Sequence, residues 1–417
     1  MHIQKTSVAI IGAGIAGLRT AIELKRHGIQ YIVIEKQTIP GGRIKTISSN
    51  GFLLDSGFQV LLDSYDELPS ALNLSNLRLN SFDSGANVTS NGTEMSLFNP
   101  IKHPEKAIST LISHPGNLLD LVKLVILAIR ANAKSPDFFT EKSRSTADLL
   151  QQFGFSNAFI DGFFRPFFGG VFLDSQLKVP ANYFLWLLDK FRSGNATLPE
   201  KGMGEIGNQM ALQAGPILYN EQVTDLKDNL ILFESGKQFE ADWIINATGM
   251  EDVVAPKQKT NAANFRGTST YYFSSDFVAH LPKSIVLIAD PKSFILHFCF
   301  PSAIQKSYAP KGKSLCSVTL NWHGPSENPT EMATKIIEEL LIQYTSVNWN
   351  AFSFLAHFDI PFALPKWETG NEKTYIVEGN RLTIGDHVSY PSINGALRSG
   401  REAAQFLIAE IENQKVS

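Results

Sequence analysis

The segment that most constrains the fold is VAIIGAGIAGLRTAIELKRHGIQYIVIEK, at residues 8–36. It opens with a β-branched, apolar run, passes through three glycines spaced as GxGxxG, and continues with helical periodicity as far as His27. A second apolar run at 31–35 ends in Glu35. The pattern predicts strand, helix and strand in a βαβ unit, which is typical of a Rossmann-like α/β domain that binds a dinucleotide.

Each glycine of this turn has a separate physical reason. Gly12 permits the tight turn out of the strand, Gly14 leaves room for a pyrophosphate, and Gly17 lets the helix lie close to the strand. The helix then begins with free N–H groups and a partial positive charge, which suit phosphates. The other predicted cofactor contacts of the turn are Ala13, Ile15 and Ala16.

Glu35 indicates which dinucleotide is bound. A carboxylate at the end of the second strand accepts hydrogen bonds from a ribose 2′-OH and repels a 2′-phosphate. This position therefore favours NAD or FAD over NADP, and Lys36 beside it is predicted to lie in the same site.

The overall composition excludes several classes of protein. A chain of 417 residues exceeds one compact core, so two domains are expected. The net charge of −3 gives no reason to expect nucleic acid as a partner. Cys299 and Cys316 lie in separate apolar runs and are expected to be small buried side chains, and no metal site is predicted. Without a disulfide framework or a recognisable signal peptide, a reducing, cytoplasmic location is expected.

The most apolar helical pattern is LLDLVKLVILAIRA, at 118–131. Asp120, Lys123 and Arg130 interrupt it, so it is not predicted to span a membrane. We interpret it as a core helix, with peripheral contact to a membrane surface as the alternative.

A second glycine cluster, KGMGEIG at 201–207, also has GxGxxG spacing. The preceding residues, ATLPEK, are not an apolar strand, so the cluster lacks the element that would direct a pyrophosphate to a helix. We interpret it as a loop that enters a helix, not as a second nucleotide site.

Three further segments favour FAD over NAD. Gly41-Gly42-Arg43 permits close backbone approach and supplies a cation for a phosphate. Ala247-Thr248-Gly249 ends a strand in small residues. The segment at 384–400, IGDHVSYPSINGALRSG, offers Asp386 to ribityl hydroxyls before a helix with a free N-terminus. A cofactor longer than NAD, stretched across the sheet, would use all three, although each segment alone is also compatible with an ordinary turn or helix cap.

Together these segments resemble the FAD-dependent superfamily of amine oxidases, phytoene desaturases and protoporphyrinogen oxidases. The matching stretches are IIGAGIAGL, VIEK, GGR, LLDSGFQ, LPEKGMGEIGNQMA, VTDL, NATG and IGD with PSINGALRSG. FFRPFFGGVFL and TSTYYF are most similar to the phytoene-dehydrogenase-like branch. The resemblance implies a discontinuous FAD-binding domain at 1–95, 200–262 and 372–417, interleaved with an α+β substrate-binding domain at 96–199 and 263–371.

The resemblance also assigns site residues. It implies that the glycine turn, Glu35, Lys36, Gly42 and Arg43 hold the ADP half of FAD, and that the backbone of Val223 meets the adenine. It places Gly57, Phe58 and Gln59 near the flavin ring. The remaining implied contacts are Ala247, Thr248, Gly249, Gly385, Asp386, Asn394, Gly395 and Ala396, the last three donating N–H groups to the flavin N1–C2=O edge.

The sequence departs from the amine oxidases of this superfamily in three respects. FRGTSTYYFSSD, at 265–276, contains no lysine where these enzymes keep one near the flavin. Trp367 and Tyr390 are the available aromatics for an amine cage, but no motif fixes their place. No cysteine lies near the C-terminus, so the flavin is expected to be non-covalent.

The expected activity is oxidation, by desaturation, of an apolar substrate through hydride transfer to flavin N5. Phenylalanines in FFRPFFGGVFL suit an apolar cavity, although most are expected to be ordinary core. The substrates considered are an isoprenoid, a carotenoid, a tetrapyrrole or, as the alternative function, an amine. A second alternative is a non-catalytic, lipid-binding escort protein. No catalytic residue is assigned, and the candidate bases are His297, His323, His357 and His387.

Overall fold

The computed structural model describes residues 4–99, 102–131, 144–249, 264–276, 278, 280–367 and 374–416. The described strands, in chain order, are β1 Gln4–Ile11, β2 Tyr31–Ile34, β3 Thr46–Ser49, β4 Phe52–Asp55, β5 Leu61–Leu62, β6 Asn80–Ser81, β7 Gly85–Ser90, β8 Thr93–Phe98, β9 Ala196–Leu198, β10 Ile217–Leu218, β11 Val223–Lys227, β12 Leu230–Phe233, β13 Gln238–Asn246, β14 Phe265–Asp276, β15 Ile285–Ile288, β16 Ile295–Cys299, β17 Lys313–Asn321, β18 Ser353–Pro365, β19 Tyr375–Glu378 and β20 Arg381–Ile384.

The described α-helices are α1 Ile15–Arg26, α2 Leu68–Ala71, α3 Leu74–Leu77, α4 Ala107–Ile112, α5 Leu118–Arg130, α6 Thr146–Gln152, α7 Asn157–Phe159, α8 Arg165–Phe172, α9 Ala181–Ser193, α10 Gly204–Ala214, α11 Pro301–Ile304, α12 Pro329–Gln343 and α13 Ile393–Val416. A π-helical turn at Ile160–Phe164 joins α7 to α8. The mixed α/β fold agrees with the sequence prediction.

The first sheet contains the predicted βαβ unit. Its order is β10-β2-β1-β13-β12-β11, and β20 also pairs with β13 and carries β19 at its outer edge. The pairs of β1 with β2 and with β13, and of β13 with β20, are parallel. The carboxyl ends of β1, β2, β13 and β20 therefore lie at one edge, where a parallel α/β sheet binds its ligands.

The second sheet has seven strands in the order β18-β14-β17-β16-β15-β7-β8. Successive side chains along each strand point to opposite faces of this sheet. Tyr271, Phe273 and Val318 lie in one apolar cluster with the buried side of α12, whereas Tyr272 belongs to the larger cluster shared with the first sheet. The domain division stays a prediction; β7 and β8 pair in this second sheet, although the predicted boundary follows residue 95.

The phenylalanine-rich segment lies on α7, the π-helical turn and α8, and α8 packs against β15 and β16 of the second sheet. Phe159, Phe164, Phe168 and Phe172 are fully buried and in ring contact, so these four are packed core, as expected for most of the segment. Gly162 allows the chain before α5 to approach, since a Cβ there would lie 2.5 Å from the Cβ of Pro115.

The prediction that residues 118–131 form a core helix was wrong. α5 has the predicted extent, but its buried residues are Asp120 and Leu127, and most of its aliphatic side chains are exposed. Asp120 is held inward because it forms a capping box with Asn117 and accepts hydrogen bonds from Ser156. Internal polar bonds therefore fix which side of the helix faces the protein, against the apolar pattern.

Candidate cofactor site

The glycine turn after β1 has the geometry that its sequence predicts. Gly12 has a φ of +105°, and its N–H donates to the carbonyl of Ile34 at 2.7 Å. A Cβ on Gly17 would lie 2.1 Å from the Gly12 carbonyl oxygen, so only glycine allows this approach of helix to strand. A Cβ on Gly14 would have no neighbour nearer than 3.9 Å, which leaves open space over the start of α1.

The N-terminus of α1 is suited to an anion. Gly14 is its N-cap and has no side chain to occupy the first N–H groups, and the first turn, IAGL, is uncharged. Unpaired N–H groups and the helix dipole both favour phosphate at such a position. The residues present therefore fit a pyrophosphate.

Glu35 lies at the end of β2 and is only 7% exposed. Its Oε2 accepts the Ala13 N–H at 2.7 Å, and its Oε1 accepts the Gln37 N–H at 2.9 Å. Each carboxylate oxygen keeps further acceptor capacity for a ribose hydroxyl. The carboxylate thus fixes the glycine turn as well as fitting the predicted ribose contact.

Lys45 is a charged neighbour of this site that no motif in the sequence indicated. Its Nζ donates to Gln37 Oε1, and burial lowers the pKa of its ammonium although Glu35 opposes that shift. Lys36, which was predicted, is exposed. Lys45 lies between the GGR loop and β3, and its contact with Gln37 depends on how the chain folds there. A local sequence pattern does not reveal this contact.

The GGR loop lies directly against the glycine turn. The Gly41 N–H donates to the Ala13 carbonyl at 2.9 Å, and Gly14 forms a bridge with Gly41. Gly42 has a φ of +64°, and a Cβ there would be 3.1 Å from the Gly14 Cα. The two predicted glycine segments therefore form one continuous backbone surface.

The second glycine cluster serves packing. A Cβ on Gly207 would lie 2.6 Å from the Gly41 Cα, and one on Gly204 would lie 2.8 Å from the Thr46 nitrogen. The cluster enters α10, as interpreted from the sequence. The expectation that no strand precedes it was wrong, because β9 ends at Leu198; however, β9 pairs antiparallel with β5 and β6 in a separate small sheet, so it forms no βαβ unit.

Arg43 and Asp386, predicted from separate motifs, are paired with each other. The guanidinium Nη2 donates to Asp386 Oδ1, and Nη1 donates to the Ala363 carbonyl at 3.2 Å. Gln59 Nε2 donates to the Arg43 carbonyl at 3.1 Å. Residues of three predicted segments, Arg43, Gln59 and Asp386, are therefore joined by hydrogen bonds.

Phe58 lies beside His297, at 4.7 Å between ring centroids. Burial lowers the pKa of His297 to about 3, so its imidazole is neutral at physiological pH, and neither ring nitrogen has a hydrogen-bond partner among the described residues. Gly57 has a φ of +92° and contacts Ile360 of β18. The side of the site near Phe58 is therefore uncharged, and His297 is a poor proton acceptor there.

The strand ends at β13 and β11 complete the nucleotide side. The Ala247 N–H donates to the Ile11 carbonyl at 2.9 Å, and Thr248 donates to the Asn246 side chain from both its N–H and its hydroxyl. Gly249 follows with a φ of +72°. Val223 is buried in the cluster that contains Ile34, and two residues before it the Glu221 N–H donates to the Glu35 carbonyl at 3.1 Å.

The start of α13 is more occupied than predicted. Ser392 caps it, accepting the Gly395 N–H on Oγ at 2.9 Å and the Ala396 N–H on its carbonyl at 3.0 Å. Asn394 accepts the Glu67 N–H and donates to the Tyr390 hydroxyl. Donation by Gly395 and Ala396 to the flavin, which stays a prediction, therefore has to share or replace bonds within this cap. Gly385, with a φ of +142°, donates to Ser399 of the same helix.

Tyr390 and Trp367, the candidate cage aromatics, each contact Tyr183. The ring centroids of Trp367 and Tyr183 are 5.3 Å apart, and those of Tyr390 and Tyr183 are 6.4 Å apart. The Tyr183 hydroxyl donates to the Pro391 carbonyl just before α13. Tyr183 thus joins the phenylalanine-rich helices to the predicted flavin segment, and the sequence offered no signal for it.

Of the other candidate bases, His357 and His323 differ from His297, whereas His387 resembles it in having a ring nitrogen without a hydrogen-bond partner among the described residues. His357 lies 3.7 Å from Asp359, His323 is exposed, and His387 borders Gly385 and has a pKa lowered mainly by burial. Cys299 and Cys316 are buried and unbonded, as expected.

The sheet order, the glycine turn and the acidic strand end define a dinucleotide-binding oxidoreductase fold. The model of the family described as flavin containing amine oxidoreductase matches residues 15–408. The chain belongs to this family, and FAD is its cofactor, as predicted. When bound, FAD supplies the hydride acceptor of the reaction.

Curated relatives within the superfamily carry several activities in their names. The chain is 26% identical over 199 residues to mitochondrial protoporphyrinogen oxidase of Nicotiana tabacum, covering 46% of this chain and 33% of that protein. It is 40% identical over 58 residues to phytoene desaturase of Fusarium fujikuroi, covering 14% of this chain and 10% of that protein. These matches span a third or less of the relatives' length.

Solved structures share the whole fold. Wild-type putrescine oxidase bound to putrescine superposes with a TM-score of 0.71 at 15% identity, over 98% of this chain and 100% of that one. An oxidoreductase from Methanosarcina mazei gives 0.70 at 17% identity, over 96% and 100%. At these identities the similarity shows the fold alone.

Two other kinds of site are absent from the described part of the chain. Its histidines, cysteines and carboxylates form no group of three or more that could hold a metal ion. Within the same ranges, no helix combines the length and the apolar character needed to cross a bilayer.

Proposed function

We propose that the protein desaturates an apolar organic substrate: one carbon would give a hydride to FAD and the neighbouring carbon would lose a proton to solvent, so that a carbon–carbon double bond forms. The observation that carries this proposal is a connected run of aromatic contacts. It passes from Phe164 through Phe168 and Phe172 to Tyr183, and on to Tyr390 beside the start of α13. These rings are packed core that joins the phenylalanine-rich helices to the predicted flavin segment, and a substrate bound beside them would meet aromatic groups with few polar ones, which suits low polarity.

The chain's own residues have three roles in this proposal. Glu35 and Arg43 orient the two ends of the ADP half, the first by accepting hydroxyls and the second by facing a phosphate. The helix dipole of α13 favours negative charge at its N-terminus, where the electron-rich ring edge is expected. Phe58 and the neutral His297 exclude water from the opposite side.

An amine is the alternative substrate. An amine is protonated in water, and its ammonium is stabilised by a carboxylate or by a ring face. The rings in contact with Phe58 are those of Phe82 and the neutral His297, and β14 has no lysine. These observations favour an uncharged substrate. An amine is still included in the test, because solved structures of the same fold are named putrescine oxidase and cyclohexylamine oxidase.

The deciding experiment is anaerobic bleaching of the purified flavoprotein by a panel of candidates. The panel contains an acyclic polyene, a reduced tetrapyrrole and a primary alkylamine, each supplied in detergent. We expect bleaching by one of the two apolar classes and none by the amine. Bleaching by the amine alone would overturn the proposal in favour of amine oxidation.

The escort alternative is tested in the same preparation. Small molecules released on denaturation are identified by mass spectrometry. A bound lipid together with flavin that no member of the panel bleaches would favour the non-catalytic alternative, whereas a desaturated product favours the enzyme.

A further inference from the structure

The helices α4 and α5 present their aliphatic side chains to solvent. We define the aliphatic patch as the exposed aliphatic residues of these two helices: Ile108, Leu111, Ile112, Leu118, Leu119, Val122, Val125, Ile126 and Ile129. On α5 the exposed positions recur at the spacing of one helix face, i, i+1, i+4, i+7, i+8 and i+11. The apolar stripe that normally seeks the core is therefore the outer surface.

The patch concentrates exposure that is otherwise scattered. Nine of the sixteen exposed large apolar side chains in the described ranges lie on these two helices, and Ile112 is 80% exposed. Single exposed apolar residues need no explanation, but a contiguous patch marks an interaction site.

Polar residues of α5 contact the rest of the protein and fix this orientation, although the Arg130 side chain is itself exposed. Asp120 is buried against Asn117 and Ser156, and Lys123 donates to the Gly154 carbonyl. Arg130 lies 5.9 Å from the Phe153 ring centroid. Rotating the helix to bury its aliphatic side would break these bonds, so the exposed patch is a built feature of the fold.

The charge around the patch is positive. Residues 102–130 contain Lys102, Lys106, Lys123 and Arg130 against Glu105 and the buried Asp120, and Asp83 pairs with Lys106, so these four cations and three carboxylates leave a net charge of +1. An exposed apolar face flanked by basic residues is complementary to the surface of an anionic bilayer.

We propose that the aliphatic patch docks the protein on an anionic lipid surface, with α4 and α5 lying in the plane of the interface. Lipid is favoured over a protein partner because all nine residues are isoleucine, leucine or valine. Protein interfaces are enriched in tyrosine, tryptophan and arginine, and leucine and valine are under-represented at their energetic centres.

The segment between α4 and α5 packs against Phe159, whose ring contacts Phe164 of the aromatic run. A Cβ on Gly116, between α4 and α5, would lie 2.9 Å from the Phe159 Cβ, and Pro115 packs on Gly162. Lipid docking would place the aromatic run close to a membrane reservoir of apolar substrate; this consequence rests on the proposed function, whereas the docking itself does not.

The test is flotation of the FAD-loaded protein with vesicles of phosphatidylcholine mixed with phosphatidylglycerol. We expect the parent protein to float with the mixed vesicles and more weakly with phosphatidylcholine alone. The triple variant Ile112→Glu, Val122→Glu, Ile129→Glu should lose at least about tenfold in vesicle partitioning, because three inserted aliphatic groups become charged. The matched control is Leu212→Glu, Ile342→Glu, Ile376→Glu, three exposed residues outside the patch, and it should float like the parent.

Folding and function are read out separately. FAD content and thermal midpoint of the patch variant should equal those of the control, so that loss of flotation reports docking and not the oxidoreductase activity. If the patch variant does not fold, hydrogen exchange of the parent decides, because vesicles should protect residues 107–130. A parent that neither floats nor gains protection would overturn the proposal, as would a lipid-free dimer that the patch variant abolishes, which would make the patch a protein interface.

Discussion

Replacing Asp55 with Asn should change how the free energy of unfolding depends on pH. Asp55 is the last residue of β4 and is buried among uncharged groups. Its carboxylate accepts hydrogen bonds from the Thr46 hydroxyl at 2.5 Å, the Met203 N–H at 3.0 Å and the Tyr308 hydroxyl at 2.8 Å. Burial nevertheless outweighs these three donors and raises the pKa of Asp55 from 3.8 to about 6.

The sign follows from proton linkage. Between about pH 4 and 6 the folded state keeps the proton on Asp55 while the unfolded state has lost it, so rising pH favours unfolding. The stabilising contribution is complete below the unfolded pKa and is lost as pH passes the folded pKa. With about 1.4 kcal/mol for each pKa unit, the loss approaches about 3 kcal/mol at neutral pH.

The assay is urea unfolding at a series of pH values, with excess FAD present for every variant. We expect the parent's stability relative to Asp55→Asn to fall by about 2 kcal/mol between about pH 4 and 7, which is most of the full loss, since the amide does not titrate. Asp276→Asn is the control, because Asp276 is exposed and Lys313 lowers its pKa. A parent-minus-variant difference that is flat, or that grows with pH, would refute the reasoning.

The remaining predictions concern the cofactor. Glu35→Ala should weaken FAD binding by about 1–3 kcal/mol through loss of charged hydrogen bonds, and Arg43→Ala should do likewise, as measured by flavin release against Glu234→Ala as an exposed control. If both variants keep FAD as the parent does, our placement of the ADP half is wrong. Acid precipitation should leave the flavin in the supernatant, because Cys299 and Cys316 are buried far upstream of α13 in the chain; colour in the pellet would show a covalent link. NADH and NADPH should not bleach the flavin in anaerobic stopped-flow mixing, since the cluster at 201–207 packs on Gly41; bleaching within seconds would contradict this.

Local sequence predicted the parts of the site that depend on backbone conformation. The backbone roles of Gly12 and Gly17 were predicted correctly, because a positive φ at the first and a close approach at the second are both requirements within one βαβ unit. The helical character of α1 and α5 followed from periodicity for the same reason. Information of this kind is complete within about thirty residues of chain, the size of one such unit.

Contacts between distant segments were beyond that information. The pair of Arg43 with Asp386 joins residues that are 343 positions apart, and Asn394 fixes the Glu67 backbone across 327 positions. The face of α5 that meets water was also not predictable, because it depends on a hydrogen bond to Asp120 from Ser156, the N-cap of α7. The apolar pattern of α5 alone predicted that its aliphatic side would be buried, whereas that side is exposed.

These long-range contacts connect cofactor binding to stability. Gly400 lets α13 approach α1, since a Cβ there would lie 2.3 Å from the Ala16 carbonyl oxygen, and the Thr20 hydroxyl donates to the Gly400 carbonyl. The predicted FAD contacts thus come from both ends of the chain, and neither end holds the full set. A ligand that needs both ends binds the folded state alone and stabilises it by RT ln(1 + [L]/Kd), about 4 kcal/mol at a thousandfold excess over Kd. Removing FAD should therefore lower the unfolding midpoint of the protein. Hydrogen exchange in α1 and α13, which pack against each other, should then rise before it rises in β14 and β17.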